Sequence, residues 1–359
     1  VEMVRSVTDE HVLRALMRHR RLTRAELATE IGISKPTAGE SVRRLSERGL
    51  VTDTGERTPG GRGRGRVGSY YALAPAVGAA LAVTIAPGGV VATRVDVYGD
   101  TVARAARDVD RPARPEQVAA ALRTAVAEAC AGDRARLAVV GAADPVDRES
   151  GRLVHLPDSP FLVGELDPVA VLRPHVTGPV VVDNDVNWAA LAERAHTGPD
   201  FVYLYLGEGL GCAVVNDGEV RRGRTGLVGE IAHVLTTGPD GRAVHLIDVF
   251  GHLGLRQPGT TAIDVGRVIA ADPATRAVIG GAIAGVVAAA VALCDPHEIV
   301  VGGPWGPTML DAIRAATDRT PRPVAVRAAR VTDDPVASGV RADAVDRLRA
   351  LVTDSGPAG

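Results

Sequence analysis

The run Val180–Arg194 constrains this chain more than any other. Gly178-Pro179 breaks what precedes it, Val180 to Val182 is apolar, and Asp183-Asn184-Asp185 interrupts before the amphipathic stretch VNWAALAER. A short apolar run bounded this way reads as a buried strand, and the stretch after it as a helix. That order of events belongs to α/β folds, where polar groups at the carboxyl end of a strand stand at the ligand crevice. A second stretch, GRTGLVGEIAH over 223–233, sets Glu230 and His233 three residues apart, so that a helical turn aims both from one face. Asn, Asp, Glu and His converging on one crevice can bond several hydroxyls at once, which is the chemistry of holding a sugar-like polyol. Taken alone, Asp183-Asn184-Asp185 reads as a turn or a helix cap.

A length of 359 residues suits two or three domains. Aromatics make up only 3% of them, so the core must be built mainly from Val, Ala and Leu. The net charge of −2 hides an asymmetry: residues 1–72 carry 14 Lys and Arg against 9 Asp and Glu, and the rest is acidic. A basic end on an acidic body points to nucleic acid at one end and something else at the other. Cys130, Cys212 and Cys294 are scattered and make neither a disulfide framework nor a C-x-x-C metal site, which favours a reducing cytoplasm. No signal peptide is expected. The stretch 277–294, AVIGGAIAGVVAAAVALC, has the length of a membrane span. Its Ala and Gly content makes transfer into lipid weak, so a close-packed helix between two lobes is expected instead and no membrane partner.

At the basic end, Val7–Arg20 has an apolar stripe, and Thr23 with Glu26 has the capping-box spacing for a short helix ending at Gly32. Ser34 caps the next helix, which runs to about Arg48. The spacing Ala28, Gly32, Ala38 fits a helix-turn-helix. On its second helix Ala38, Val42 and Leu45 face inward, leaving Lys35, Pro36, Thr37, Glu40, Ser41, Arg43 and Arg44 on or near the outer side. Two short strands then flank PGGRGRGRVG, a Gly/Arg-rich loop that fits the minor groove of a duplex. Ser34, Lys35, Pro36, Thr37 and Ser41 are the candidates for the major groove, Arg43 and Arg44 for phosphates, and Arg62, Arg64 and Arg66 for the minor groove.

Residues 74–78 read as a short linker. A three-strand meander follows from Ala79, then a helix over Pro115–Cys130 and a buried strand, Leu137–Val140, leading into Gly141–Asp147, GAADPVD. At this point the motifs resemble those of the ROK family of repressors, open reading frames and sugar kinases. DNDVNWAALAE is similar to its ENDAN-A-AL-E segment and GRTGLVGEIAH to its G-x-x-G-x-x-GE-x-GH segment. GAADPVD looks like a shortened G-x-x-x-P-G-x-V-D turn, and EIVVGGPWG over 298–306 resembles its I-V-x-G-G turn. The resemblance covers Ala79 to Ala344 in order. It implies a two-lobed actin-like, ribonuclease H-like α/β body over 79–350, with lobe 1 about 79–185 plus a C-terminal helix and lobe 2 about 186–340. A winged helix-turn-helix over 1–73 precedes it, and a last helix is expected from Arg341.

The resemblance also implies where sugar and phosphate would bind. Asn184, Asp185, Glu230 and His233 fall on the family's hydroxyl-holding positions. Its kinases place D-x-G-G-T after the first strand, where this chain has Thr84, Ala86 and Pro87, and Pro87 removes a backbone donor. Their second phosphate loop, G-T-G-x-G, is here Gly207-Glu208-Gly209-Leu210-Gly211. A carboxylate facing phosphate at ~4 Å costs about 4 kcal/mol at an effective dielectric of about 20. ATP use and catalysis are therefore not expected. The family's C-x-C-G-x-x-G-C zinc ligands are missing, since His245 and Ile247 fall on the first two Cys and His252 on the last. Either zinc is lost, or His233, His245 and His252 make a three-histidine site. Gly254 stands where the family has a sugar-touching Glu.

The sequence thus points to a cytoplasmic transcriptional regulator, a repressor in type. It would bind an inverted-repeat operator as a dimer or dimer of dimers and answer a sugar-like effector. The alternatives are a sugar kinase carrying a DNA-binding domain, and a ligand-independent DNA-binding dimer.

Overall fold

A computed structural model describes residues 2–58, 68–156 and 159–354. The head opens with α1 (Glu2–His19), β1 (Arg21–Thr23), α2 (Arg24–Ile31) and α3 (Lys35–Glu47). The Thr23 hydroxyl and the Glu26 carboxylate close a reciprocal capping box at the start of α2, and Gly32 ends it at φ 75°. Strands β2 (Val51–Arg57) and β3 (Ser69–Leu73) complete a small antiparallel sheet in the order β1-β3-β2. The Thr58 N–H bonds the Gly68 carbonyl at the mouth of the wing. The wing arginines Arg62, Arg64 and Arg66 lie outside the described residues.

The supposed linker is not slack. Residues Pro75–Val77 form one 3-10 turn, Val77 is buried, and Arg136 Nη1 donates to the Val77 carbonyl at 3.3 Å. A Cβ on Gly78 (φ 81°) would meet Arg136 at 2.7 Å. Head and body share one apolar cluster, with Val12, Leu13 and Leu16 of the head beside Leu348 and Val352 of the last helix.

Lobe 1 comprises β4 (Ala79–Ala86), β5 (Gly89–Asp96), β6 (Thr101–Arg107), α4 (Pro115–Cys130), β7 (Leu137–Ala142), α5 (Pro168–Leu172) and β8 (Val180–Asn184). Its sheet runs β6-β5-β4-β7-β8, antiparallel across the first three strands and parallel from β4 to β8. Lobe 2 repeats the pattern. After α6 (Asp185–Glu193) come β9 (Phe201–Leu206), β10 (Leu210–Asn216) and β11 (Glu219–Val220). The small hairpin β12 (Leu235–Thr237) and β13 (Ala243–His245) follows, then α7 (Leu246–His252), α8 (Val265–Ile269), α9 (Pro273–Cys294), β14 (Glu298–Gly302), α10 (Gly306–Thr317) and β15 (Ala325–Ala328). The second sheet is β11-β10-β9-β14-β15, with the same change from antiparallel to parallel at its centre.

The last helix, α11, spans Pro335–Asp354, so it begins at Pro335 rather than Arg341. It packs on α6, β4 and β7, and Val336 at its start touches the apolar clusters of both lobes. The crossing with α6 is close: a Cβ on Gly339 would stand 2.0 Å from the Trp188 carbonyl. The helix expected between the lobes lies instead within lobe 2, where α9 packs on α7, α10 and β12, and among the described residues it is the one helix long and apolar enough to cross a membrane. Its small residues serve contact with neighbours, since a Cβ on Gly280 would meet the Ala312 carbonyl of α10 at 2.6 Å.

Candidate functional site

On the head, Ala38, Val42 and Leu45 are fully buried, which turns Lys35, Pro36, Thr37, Glu40 and Arg43 of α3 to solvent. The Ser34 Oγ accepts from the Thr37 N–H at 3.2 Å and pairs with the Thr37 hydroxyl at 2.7 Å, fixing the exposed amino end of the helix. Two candidates are corrected. Ser41 is wholly buried and donates to Asp9 Oδ1 of α1 at 2.5 Å, so it has no route to a base edge. Arg44 is half-buried, and its guanidinium bonds both Asp9 oxygens, at 2.6 and 3.2 Å. Its helical position turns it sideways onto α1, where a buried carboxylate claims it. Arg43 is exposed but lies between Glu40 at 3.0 Å and Glu47 at 2.6 Å, so it must share its charge with them.

The two sheets set the body's cleft. Register aligns Thr84, Gly141 and Asp183 in one row and Ile85, Ala142 and Asn184 in the next. The strand ends of lobe 1 therefore face those of lobe 2, at Tyr205 and Gly209 to Gly211, across a cleft of about 740 Å³. Asn184, Asp185, Glu230 and His233 all line it. Glu230 and His233 do not share an α-helical turn: Glu230 precedes a 3-10 turn, Ile231–His233, yet both side chains reach the same space.

Their roles divide. Asn184 is committed to structure. Its Oδ1 accepts the Val186 N–H at 3.0 Å and caps α6, while its Nδ2 spans the Ala142 and Asp144 carbonyls at 3.4 and 3.3 Å. Asp183 is likewise used up, held by Arg222 at 2.6 Å and by Asn187 at 2.7 Å. Asp185 and Glu230 keep their carboxyls for the cleft. Burial pushes each up to about 7, against the Val186 N–H in the case of Asp185, and the charge of Asp144 adds to both.

Sequence reading passed over Asp144, which burial raises to about 6 while the Ser159 hydroxyl, bonded to its Oδ1, holds it down. The signal was present: counted back from Val146-Asp147, Asp144 stands on the glycine of the P-G-x-V-D motif. Tyr205 was also missed. It lines the cleft with its phenol raised to about 12 by burial.

At the other end of the cleft, β4 turns into β5 through Pro87-Gly88, and Thr84, Ala86 and Pro87 line the wall. Glu208 does not face the cleft as a bare charge. Arg111 Nη1 meets its Oε2 at 2.7 Å, and Arg111 Nε donates to the Pro87 carbonyl at 3.3 Å. The repulsion expected from Glu208 is therefore partly cancelled by Arg111.

The residues do not fit zinc. The His233 and His245 rings lie edge to face at 5.8 Å, and His245 Nδ1 is 3.5 Å from Asp248. His252 sits exposed at the end of α7, and Ile247 is buried in the lobe 2 core. Among the described residues no three His, Cys, Asp or Glu side chains are arranged to hold a metal, so the three-histidine site is not assembled.

A winged helix-turn-helix head on a two-lobed α/β body, with a cleft between the repeated sheets, defines the architecture. Residues 88–245 match the ROK family model, and residues 5–52 match the winged helix-turn-helix DNA-binding model. The chain carries a ROK family domain behind a winged helix-turn-helix. It is 30% identical over 169 residues to a glucokinase of Streptomyces coelicolor, covering 46% of this chain and 52% of that one. It is 30% identical over 98 residues to a xylose repressor of Caldicellulosiruptor bescii, covering 26% and 24%. The chain spans about half or less of the length of the curated relatives it matches. A ROK family transcriptional regulator, a homologue of the E. coli MLC protein, shares the fold over 98% of this chain and 100% of that one, with TM-score 0.62 and 19% identity.

Proposed function

We propose that this protein is a DNA-binding transcriptional regulator, a repressor in type, whose hold on DNA is set by a sugar-like effector in the cleft. The observation that carries the reading is the contrast within that cleft. Asp185, Glu230 and His233 are presented at one end, while Arg111, Glu208 and Pro87 occupy the end where a nucleotide's phosphates need free amides. With a head exposing Lys35, Pro36 and Thr37, a polyol bound there has a signal to give and no phosphoryl group to receive. The likeness to the xylose repressor supports the same reading.

The α11 helix supplies the connection. Val336 and the preceding Asp334 line the cleft, and Leu348 and Val352 join the apolar cluster of α1. A helix of 20 residues is about 30 Å long, so one rigid element spans ligand and head. The ligand moves DNA affinity only by its differential affinity for two lobe arrangements. One head covers too few base pairs for a unique genomic address, so a symmetric dimer on an inverted repeat is part of the proposal. A regulator that reads duplex DNA would work in the cytoplasm.

The test is recovery of fragmented genomic DNA on the purified chain. Bound fragments sharing an inverted repeat, with half-sites about one helical turn apart or a multiple of it, are expected. Recovery without sequence preference would overturn the reading. The glucokinase likeness and the presence of Asp185 favour a second one, a sugar kinase bearing a DNA head. In it Asp185 would act as general base, and a coupled nucleotide assay decides between them.

A further inference from the structure

The turn between β5 and β6, residues 97–100, lies outside the cleft and against the head. Asp96 Oδ1 accepts the Tyr98 and Asp100 N–H groups at 2.9 and 2.8 Å, which fixes the turn. The Tyr98 hydroxyl accepts the Leu73 N–H of β3 and donates to the Arg20 carbonyl at the end of α1, each at 3.3 Å. The Arg20 guanidinium bonds both Asp100 oxygens, at 2.5 and 2.8 Å, and lies 5.1 Å from the centre of the Tyr98 ring. Two guanidiniums of α11 hold the same turn, Arg349 donating to the Val97 carbonyl at 3.0 Å and Arg341 to that of Gly99.

Arg20 is the unusual partner. Its φ of 67° falls in the left-handed region, where glycine is the relaxed choice at a helix end and a side chain is strained. The N–H at this position bonds the Leu16 carbonyl at 2.8 Å, which glycine would do as well. What arginine adds is the reach to Asp100. Both side chains are more than half exposed, so the pair adds little to global stability. Such a contact can open while head and body stay folded.

The opposite end of this hairpin is in the cleft. Gly89 and Val90 at the start of β5, and Ala106 and Arg107 at the end of β6, line its wall. A Cβ on Gly89 would stand 2.3 Å from the Arg107 carbonyl, so the two strands close tightly there. The eight residues of β5, at about 3.4 Å each, reach about 27 Å from the cleft toward the head. We infer that the β5–β6 hairpin is a second link between cleft and head, alongside α11, and that Arg20 and Asp100 are the latch that joins it to α1. The inference rests on the regulator reading above and adds a route to it. Coupling between two sites is reciprocal, so duplex on the head is felt at the cleft end of the hairpin as well as the reverse.

Amide hydrogen exchange of the full chain tests the latch and needs no effector. The probe is the inverted-repeat duplex recovered from genomic fragments. In the wild type, saturating duplex is expected to slow exchange over residues 35–40 of the head. It should also shift exchange over residues 88–91 by about fivefold or more, the lower end of common coupling strengths. In Asp100→Ala, and in Arg20→Gly, protection over 35–40 stays while the shift over 88–91 disappears. Asp100 is exposed and Arg20→Gly relaxes the backbone it alters, so both variants keep the fold, which thermal unfolding checks. A shift over 88–91 that persists in either variant, or none in a wild type whose head is protected, would overturn the latch and leave the regulator reading standing. No protection over 35–40 in the wild type would overturn both.

Discussion

Arg111 joins the two lobes by gripping Glu208 at 2.7 Å while its Nε donates to the Pro87 carbonyl at 3.3 Å. One side chain thus staples the turn after β4 to the turn after β9, along the wall of the cleft. The pair is 44% and 30% exposed, so Arg111→Ala should cost less than about 1 kcal/mol of global stability. Locally the effect should be plain. Amide exchange over residues 86–89 and 207–210 is expected to speed up in the variant, with the rest of the chain unaltered. Unchanged exchange in both turns would mean that the clasp holds nothing.

The head predicts two kinds of variant. Lys35→Ala removes an exposed cation from the amino end of α3 and should weaken DNA binding across sequences, lowering the salt slope by about 1. Ser41→Ala removes a buried donor from Asp9 and should cost about 1–3 kcal/mol of stability with the salt slope intact. Thermal unfolding beside a salt titration separates them, and a Ser41→Ala that folds normally but loses sequence preference would return Ser41 to the interface.

Glu193 is fully buried, accepts from Arg327 at 2.7 Å, and takes the Arg330 and Val331 N–H groups at 3.0 Å. It therefore ties the segment after β15 to α6. Glu193→Ala leaves two amides and half of a guanidinium without their acceptor. Arg327 keeps Glu298 at 2.9 Å, so the loss should lie near the lower end of the 3–5 kcal/mol typical of a broken buried pair, about 3 kcal/mol. Denaturant unfolding checks it.

Stability should fall as pH rises through neutrality. Asp144, Asp185 and Glu230 all have their carboxyls raised by burial, to about 6, 7 and 7. The folded chain then holds protons that the unfolded chain has released, so their contribution is full below the ordinary carboxylate range. It is lost as pH climbs through 6 to 7. Unfolding midpoints of the ligand-free protein across that interval should decline, and the decline should flatten in Asp144→Asn combined with Glu230→Gln. A midpoint that rises with pH, with the wild type matching the double variant, would contradict the assigned environments.

Periodicity and caps made most of the architecture legible. The Val180 run became β8, Thr23 with Glu26 became a capping box, and the motifs located both lobes. The misses share one cause, which is that one-dimensional spacing does not say what lies across a gap. Ser41 and Arg44 sit at plausible groove-facing positions, but Asp9, 32 and 35 residues away, claims them. Asn184 has the right chemistry for a hydroxyl and spends it on Ala142, Asp144 and Val186. Asp144 sits in what reads as a turn, and only the fold buries it beside Ser159.

The central claim is that ligand and duplex are coupled here without phosphoryl transfer. The direct measurement is one preparation assayed two ways: fluorescence anisotropy on the recovered inverted-repeat duplex with each sugar added, and nucleotide turnover with the same sugars. The account predicts tight duplex binding, an affinity that shifts with at least one sugar, and no turnover. Sugar-dependent ADP release that disappears in Asp185→Asn, together with indifference to the duplex, would contradict it.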